Sequence, residues 1–520
     1  MPTNDPFKAS VSGETTSPGG VCEFVTPGSL PPCTLVIFGA SGDLTARKLI
    51  PAFYSMHLSN NLPEPFTIVG SSRTNLTNEE FREKVRQATI EDAGMDSGGW
   101  DEFAAKLVYQ PVVYDSPETF TELADFLEKI DQEKGTGGNR IFYLAVPPNL
   151  YPLIAQQIGD AGLAMEGENG AGWARIVVEK PFGRDLKTAT ELDDTLHRSF
   201  NENQIFRIDH YLAKETVQNI LMFRFANTIF EPIWNRNYID YVGIVAAENL
   251  GVENRAGYYE QAGVLRDMFQ NHMVQLLALT TMEPPSFFDA DRVRLEKGKV
   301  GRSLKPLARE TLFDNLVVGQ YKAGEIDGEP VVGYRDEPGV APDSITPTFA
   351  MMRFFVDNWR WQGVPFYMAS GKRLKRKETK IVIQFKGVPH SMFRDVLDEG
   401  IVANRLVLGI YPDEEITITF QTKVPGAKSC LRPVDMDFKY YQGFQGSPLD
   451  AYSKVLLDVI LGDQMLFWSD EGVKLAWRYL TPILEECETC ANPESRLFSY
   501  KAGSWGPMES LDWMSKIIEN

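Results

Sequence analysis

Apolar residues gather first in Thr34-Leu35-Val36-Ile37-Phe38, a short β-branched run without polar alternation. That is the pattern of a strand buried on both faces of a parallel sheet. The run passes straight into Gly39-Ala40-Ser41-Gly42-Asp43-Leu44, and helical spacing follows through Leu49, Ala52, Phe53 and Met56. A second strand is predicted over 66–70, an amphipathic helix over 78–91, and further buried strands over 141–145 and 175–178, with helical stretches between them. Strand and helix alternate, which implies a parallel sheet covered by helices on both faces.

The pattern changes near residue 205. A helical region is predicted around 211–226, a strand over 241–246 and one long helix near 258–282. The runs 380–385 and 415–420 alternate apolar and polar residues, as antiparallel strands with one wetter face do. Helices over 448–485 are expected to close the chain, followed by a Gly/Ser-rich tail. At the other end, residues 1–32 are rich in Gly, Ser, Thr and Pro and read as a flexible tail. The resulting organisation is a tail over 1–32, a Rossmann-like α/β domain over 33–207, and an α+β domain over 208–520 with a large, mostly antiparallel sheet.

Composition narrows the function. With 52 Lys+Arg against 71 Asp+Glu, the 520-residue chain carries a formal charge of −19. That excess argues against a nucleic-acid binder, though a local basic pocket needs only a few cations. No apolar run approaches the ~18 residues that span a bilayer, and no leader or transit peptide is expected in a first segment without an apolar stretch or arginine. Five cysteines do not make a disulfide framework, and a reducing cytoplasm fits them. Cys487 and Cys490 read as ordinary thiols, with a redox pair or partial metal site as the alternative.

Four segments carry candidate chemistry. Gly39-Ala40-Ser41-Gly42, between strand and helix, suits backbone approach to a pyrophosphate, although Ser41 holds the middle glycine position of the dinucleotide fingerprint. Arg73 follows the second strand where an NAD-binding sheet offers an acid, which favours a 2′-phosphate. Lys180, in Glu179-Lys180-Pro181-Phe182-Gly183, lies at the carboxyl end of a strand and so faces the ligand crevice. The stretch Arg207 to Glu215 brings Asp209, His210, Tyr211 and Lys214 together. A helix starting near His210 would set His210 and Lys214 on one face, around a phosphate.

His272 is the natural general base. On an α-helix Asp267 lies about 140° around from it, so the carboxylate that fixes its tautomer is expected from a distance, with Asp209 fitting that role.

Together these segments, with Arg224-Phe225-Ala226-Asn227, Pro232-Ile233-Trp234-Asn235 and Arg266 to His272, resemble the glucose-6-phosphate dehydrogenase family in order and spacing over about 33–490. The resemblance implies that His272 takes the proton from the sugar C1 hydroxyl and that Asp209 orients it. It implies that His210, Tyr211 and Lys214 hold the phosphate, that Lys180 bridges sugar and nicotinamide, and that Glu248 and Asp267 bind sugar hydroxyls. Lys372 and Lys377 would fall near the sugar. Gly39, Ala40, Ser41, Gly42, Asp43 and Leu44, with Lys48, would cradle the pyrophosphate of NADP, Arg73 would meet its 2′-phosphate, and Ala145 and Tyr151 would flank the nicotinamide. NAD is the weaker cofactor alternative. The implied reaction gives a lactone, needs no metal, and opens the oxidative pentose phosphate pathway; a cytoplasmic homodimer or homotetramer is expected. Many eukaryotic members hold a second, structural NADP, but Glu378 and Val382 stand where that site wants cations, so none is expected here. A sugar-phosphate sensor that has lost catalysis, or a dehydrogenase for another sugar, are the alternative readings.

Overall fold

The computed structural model describes residues 30–167, 172–393, 401–427, 430–439, 450–489 and 493–518. The expectation of a flexible tail therefore falls largely outside the described residues, as do Cys22 and Cys490. Its last residues are packed: Leu30 is buried, and the Pro32 carbonyl accepts from Asn139 Nδ2 at 2.7 Å.

Six parallel strands form the first sheet: β1 (Cys33–Phe38), β2 (Phe66–Ser71), β3 (Leu107–Tyr109), β4 (Arg140–Leu144), β5 (Ala174–Val178) and β6 (Ile205–Arg207). Their order is β3-β2-β1-β4-β5-β6. Every residue of β1 is buried, as its unbroken apolar run dictates. The order reverses on either side of β1, so the β1 and β4 carboxyl ends flank the crevice where such sheets bind ligands. Gly39 turns the chain there with φ +88°, and a Cβ on it would lie 2.2 Å from the Ala145 carbonyl oxygen. Only glycine lets the two strand ends approach this closely.

The second sheet has nine strands: β7 (Ile239–Ala247), β8 (Leu316–Lys322), β9 (Phe349–Phe355), β10 (Pro365–Gly371), β11 (Glu378–Phe385), β12 (Arg405–Tyr411), β13 (Glu415–Lys423), β14 (Leu431–Lys439) and β15 (Leu497–Lys501). They run in the order β14-β13-β12-β11-β7-β10-β9-β8-β15. All pairs are antiparallel except β7 with β10 and β8 with β15. The alternating pattern of β11 did not mark a wet face. Its residues Thr379 to Ile383 are all buried, and Lys380 is covered together with its partner Glu378.

The structure corrects three further expectations. The helix after Asp209 starts only at Glu215: the Asp209 carboxylate and carbonyl accept from the amides of Tyr211 and Leu212, which holds 210–214 as a turn. His210 and Lys214 are therefore not partners on a helix face. The long helix near 258–282 is broken at Gly263 (φ 56°, ψ 177°), where the next amide, of Val264, bonds the Pro347 carbonyl instead. Beyond the break, Leu265–Met273 is wound as a wide π-type turn before the α-helix Val274–Thr281. Finally, the segment read as a Gly/Ser-rich tail forms the edge strand β15 and the helix Leu511–Ile518, whose Met514 and Ile517 are buried on the second sheet.

The C-terminal helices also bind the two sheets together. Ala451–Leu461 packs on Ile50–Leu58 beside the first sheet, with Ser453 Oγ donating to the Ala52 carbonyl at 3.3 Å. Asp470–Thr489 packs on Leu186–Leu196, and the indole N–H of Trp477 donates to the Phe182 carbonyl at 2.8 Å. Among the described residues no helix is long and apolar enough to cross a membrane.

Candidate active site

The site lies where the crevice of the first sheet meets the π-type turn. Asp209 leaves the end of β6 and His272 lies late in the turn; both are almost wholly buried. His272 Nδ1 stands 2.5 Å from Asp209 Oδ1. A carboxylate only accepts, so Nδ1 carries the proton and Nε2 is left with its lone pair. Lys180 Nζ lies 2.9 Å from that Nε2, 3.3 Å from Asp267 Oδ1 and 3.2 Å from the Asp267 carbonyl. Lys180 enters from the turn after β5, where the Lys180–Pro181 peptide is cis.

The electrostatics follow from burial and charge. Burial pushes the His272 imidazolium pKa down; Asp209 opposes this, Lys180 adds to it, and the net direction is down. Burial would raise Asp209, but the His272 charge and hydrogen bond hold it well below the usual carboxylate range. Burial would likewise raise Asp267, which Lys180, Lys372 and Arg255 hold well below it. Near neutral pH the site thus keeps two carboxylates ionised around a neutral imidazole.

Aromatic rings and two further lysines lie beside this base. The Tyr211 ring stacks on His272 at 4.1 Å, and His210 meets the same imidazole edge-on at 4.6 Å. Burial and the His272 charge push His210 down to about 3. Lys214 Nζ stands 4.6 Å over the Tyr211 ring and 5.4 Å from the centroid of Tyr411, while Lys377 Nζ stands 4.3 Å from that same Tyr411 ring. Burial, then Lys377, lowers the pKa of Lys214. Two lysines around one aromatic ring repel each other, an arrangement that favours a multiply charged anion between them. Opposite, Lys372 Nζ pairs with Glu248 Oε2 at 2.6 Å. The fold thus brings His272, Asp209, Lys180, His210, Tyr211, Lys214, Glu248, Asp267, Lys372 and Lys377 into one region.

The residues expected on the nucleotide side lie at or after the strand ends of the first sheet. Gly39 to Gly42 make the turn after β1, and Asp43 and Leu44 begin the helical run. Lys48 and Arg73 are exposed, with Arg73 6.0 Å from the Tyr114 ring. Ala145 follows β4 and donates its amide to the Phe38 carbonyl at 2.9 Å. Tyr151 differs from its neighbours: it is buried with its hydroxyl against Glu179.

Sequence reasoning missed several groups. Tyr258 donates its hydroxyl to Asp267 Oδ1 at 3.2 Å, and Lys84 reaches back to the Ser41 carbonyl at 2.7 Å. Tyr143 donates to Glu179 Oε1 at 2.6 Å beside Lys180. The aromatic character of the 258–259 pair just before the broken helix was a usable signal; nothing in the spacing marked Lys84. The site as a whole can take a proton from a neutral hydroxyl at Nε2, hold the resulting imidazolium against Asp209, and bind an anion a short way off.

Comparison with known proteins agrees with this geometry. Residues 36–219 match the family model for the glucose-6-phosphate dehydrogenase NAD binding domain, and 221–519 that for its C-terminal domain. The glucose-6-phosphate 1-dehydrogenase of Aggregatibacter actinomycetemcomitans is 46% identical over 91% of this chain and 94% of its own length. That of Bacillus subtilis is 40% identical over 94% of this chain and 97% of its own. Among solved structures, a glucose-6-phosphate dehydrogenase in complex with its substrate glucose-6-phosphate superposes with a TM-score of 0.85 at 35% identity, covering 95% of this chain and 98% of that one.

Proposed function

The chain belongs to the glucose-6-phosphate dehydrogenase family, and from that premise we propose that it oxidises glucose 6-phosphate at C1 to the lactone with NADP as acceptor. It is an oxidoreductase of the nicotinamide-dependent class. The observation that carries the reading is the dyad itself: a buried His272 tied to Asp209 through Nδ1, with its Nε2 against Lys180.

When bound, the dinucleotide supplies the hydride acceptor for the C1 hydrogen. The turn fits such a group, since Gly39 leaves no room for a side chain and its backbone can close on a phosphate. Gly39 to Leu44 with Lys48 would hold the pyrophosphate, Arg73 the 2′-phosphate, and Ala145, Tyr151 and Lys180 the nicotinamide side. His272 Nε2 takes the C1 hydroxyl proton, and Asp209 stabilises the imidazolium. His210, Tyr211, Lys214 and Lys377 hold the 6-phosphate. Glu248, Asp267 and Lys372 fix the ring hydroxyls, and Lys180 leaves Nε2 for the sugar and nicotinamide. These steps draw on no metal.

The division of labour would follow the sheets, with 33–207 for the dinucleotide and 208–520 for the sugar phosphate and for self-association in the cytoplasm. Exposed Phe420 and Met436 on the outer strands β13 and β14 support a homodimer or homotetramer. The test is initial rates with glucose 6-phosphate against other sugar phosphates, and NADP against NAD. The expected order puts glucose 6-phosphate with NADP first; no reduction of either dinucleotide rejects the reading.

A further inference from the structure

The helix Ala290–Arg302 carries a buried lysine that the mechanism above does not use. Lys297 is only 8% exposed, and its ammonium has no hydrogen-bond partner. The same is true of Gln275 Oε1 and Trp468 Nε1. All three residues line one cavity of about 20 Å³, whose wall is completed by Ser469 and by apolar side chains such as Val274, Leu277 and Leu475. That space suits one ordered water, which could accept from Lys297 and Trp468 and donate to Gln275.

This cavity backs onto the dyad by chain connectivity. Gln275 is three residues beyond His272 along the same helical run. The Trp468 amide donates to the Arg207 carbonyl at 3.2 Å, two residues before Asp209. Asp209 uses Oδ1 for both His272 and the Tyr211 amide, and its buried Oδ2 has no hydrogen-bond partner. A carboxylate engaged on one side only needs a counter-charge on the other if it is to stay ionised and still while its histidine gains and loses a proton.

We propose that Lys297 is a positioning residue for the Asp209–His272 pair, acting electrostatically through the buried cavity it shares with Gln275 and Trp468. The charges that act on Lys297 are Arg294, one turn earlier on its own helix, which repels it, and Asp209, which attracts it. Burial and Arg294 bring its pKa down to about 7, so this ammonium is held close to the point of losing its proton. Removing the cation makes Asp209 and His272 bind protons more readily, and the dyad becomes less effective on the acid side.

The inference rests on the reading of this site as a sugar-phosphate dehydrogenase, and the two fail separately. No turnover of glucose 6-phosphate by the unaltered protein would sink that reading. With turnover established, Lys297→Met keeps the side-chain length and removes the charge. It is expected to lower kcat on the acid limb only, about tenfold for a displacement of one pH unit, and to leave the plateau above it unchanged. Both KM values should stay within about twofold, and the acid limb of the kcat profile should move to higher pH. A kcat and acid limb indistinguishable from the unaltered enzyme overturn the proposal, as does a rise in KM with kcat unchanged. Should Lys297→Met not fold, Gln275→Met decides. It removes the acceptor that orients the water, and should lower kcat in the same direction by a smaller factor; an unchanged kcat and acid limb overturn the proposal.

Discussion

Asp267 and His272, five residues apart, address the same ammonium: Lys180 Nζ lies 3.3 Å from the one carboxylate and 2.9 Å from the other's Nε2. On an α-helix they would diverge by about 140°. The π-type winding of Leu265–Met273 closes i→i+5 and turns both inward. Lys180 therefore occupies the lone pair that the substrate hydroxyl must meet.

That contact has a measurable sign. A cation beside an imidazole disfavours its protonated form, so Lys180→Met should raise the pKa of His272. With only five histidines in the chain, labelled imidazoles can be followed by NMR and His272 assigned by its loss in a variant. A His272 titration that stays in place in Lys180→Met refutes the contact as drawn.

The same groups set the acid stability. His272 and His210 have folded pKa values below the ordinary ~6.5, His210 at about 3, so below pH 6.5 the unfolded chain binds more protons than the folded one. Stability conferred by their neutral forms is full above 6.5 and declines as the pH falls towards the folded values. Asp209 is depressed too, and its contribution, full above ~3.9, is lost at lower pH still. Thermal midpoints should fall steadily from pH 6.5 downward, and His210→Gln should flatten that slope. An equal slope in His210→Gln contradicts the assignment.

Lys214 and Lys377 share the Tyr411 ring, and they divide unequally. Lys214 is half-buried and Lys377 exposed. Charge-assisted hydrogen bonds to a partly buried anion are worth about 1.5–3 kcal/mol, so Lys214→Ala should raise KM for the sugar phosphate roughly 10- to 100-fold with a smaller effect on kcat. Lys377→Ala should raise it less, because solvent screens an exposed charge. Equal effects, or a loss confined to kcat, argue against a phosphate site here.

At the dinucleotide turn, Gly39→Ala meets both a positive φ and a backbone oxygen 2.2 Å from the new Cβ. The strained conformation alone costs about 1–2 kcal/mol. Loss of NADP affinity with a lowered thermal midpoint is expected from fluorescence titration and melting. Arg73→Ala, exposed and away from that contact, should leave the midpoint alone and weaken NADP more than NAD. Equal weakening of the two refutes a 2′-phosphate role.

The sequence made some of this legible and not the rest. β1 and its glycine turn were readable because a strand buried on both faces leaves an unbroken apolar run, and Asp209 was found because α-helical spacing excluded Asp267 as the tautomer-fixing partner. The joint facing of Asp267 and His272 on Lys180 was not readable, since the π-type winding depends on the break at Gly263 and its bond to Pro347. Nor was Tyr411, which reaches Lys214 only because β11 and β12 pair across the second sheet. β15 escaped notice because a five-residue edge strand exists only through its pairing with β8.

The proton acceptor can be interrogated most directly by steady-state reduction of NADP with glucose 6-phosphate, comparing the unaltered enzyme with His272→Asn. Loss of general-base catalysis should lower kcat by a factor of about 10²–10⁴, with both KM values and the thermal midpoint near those of the parent. A variant that turns over at the parent's rate would contradict the assignment of His272 as the base.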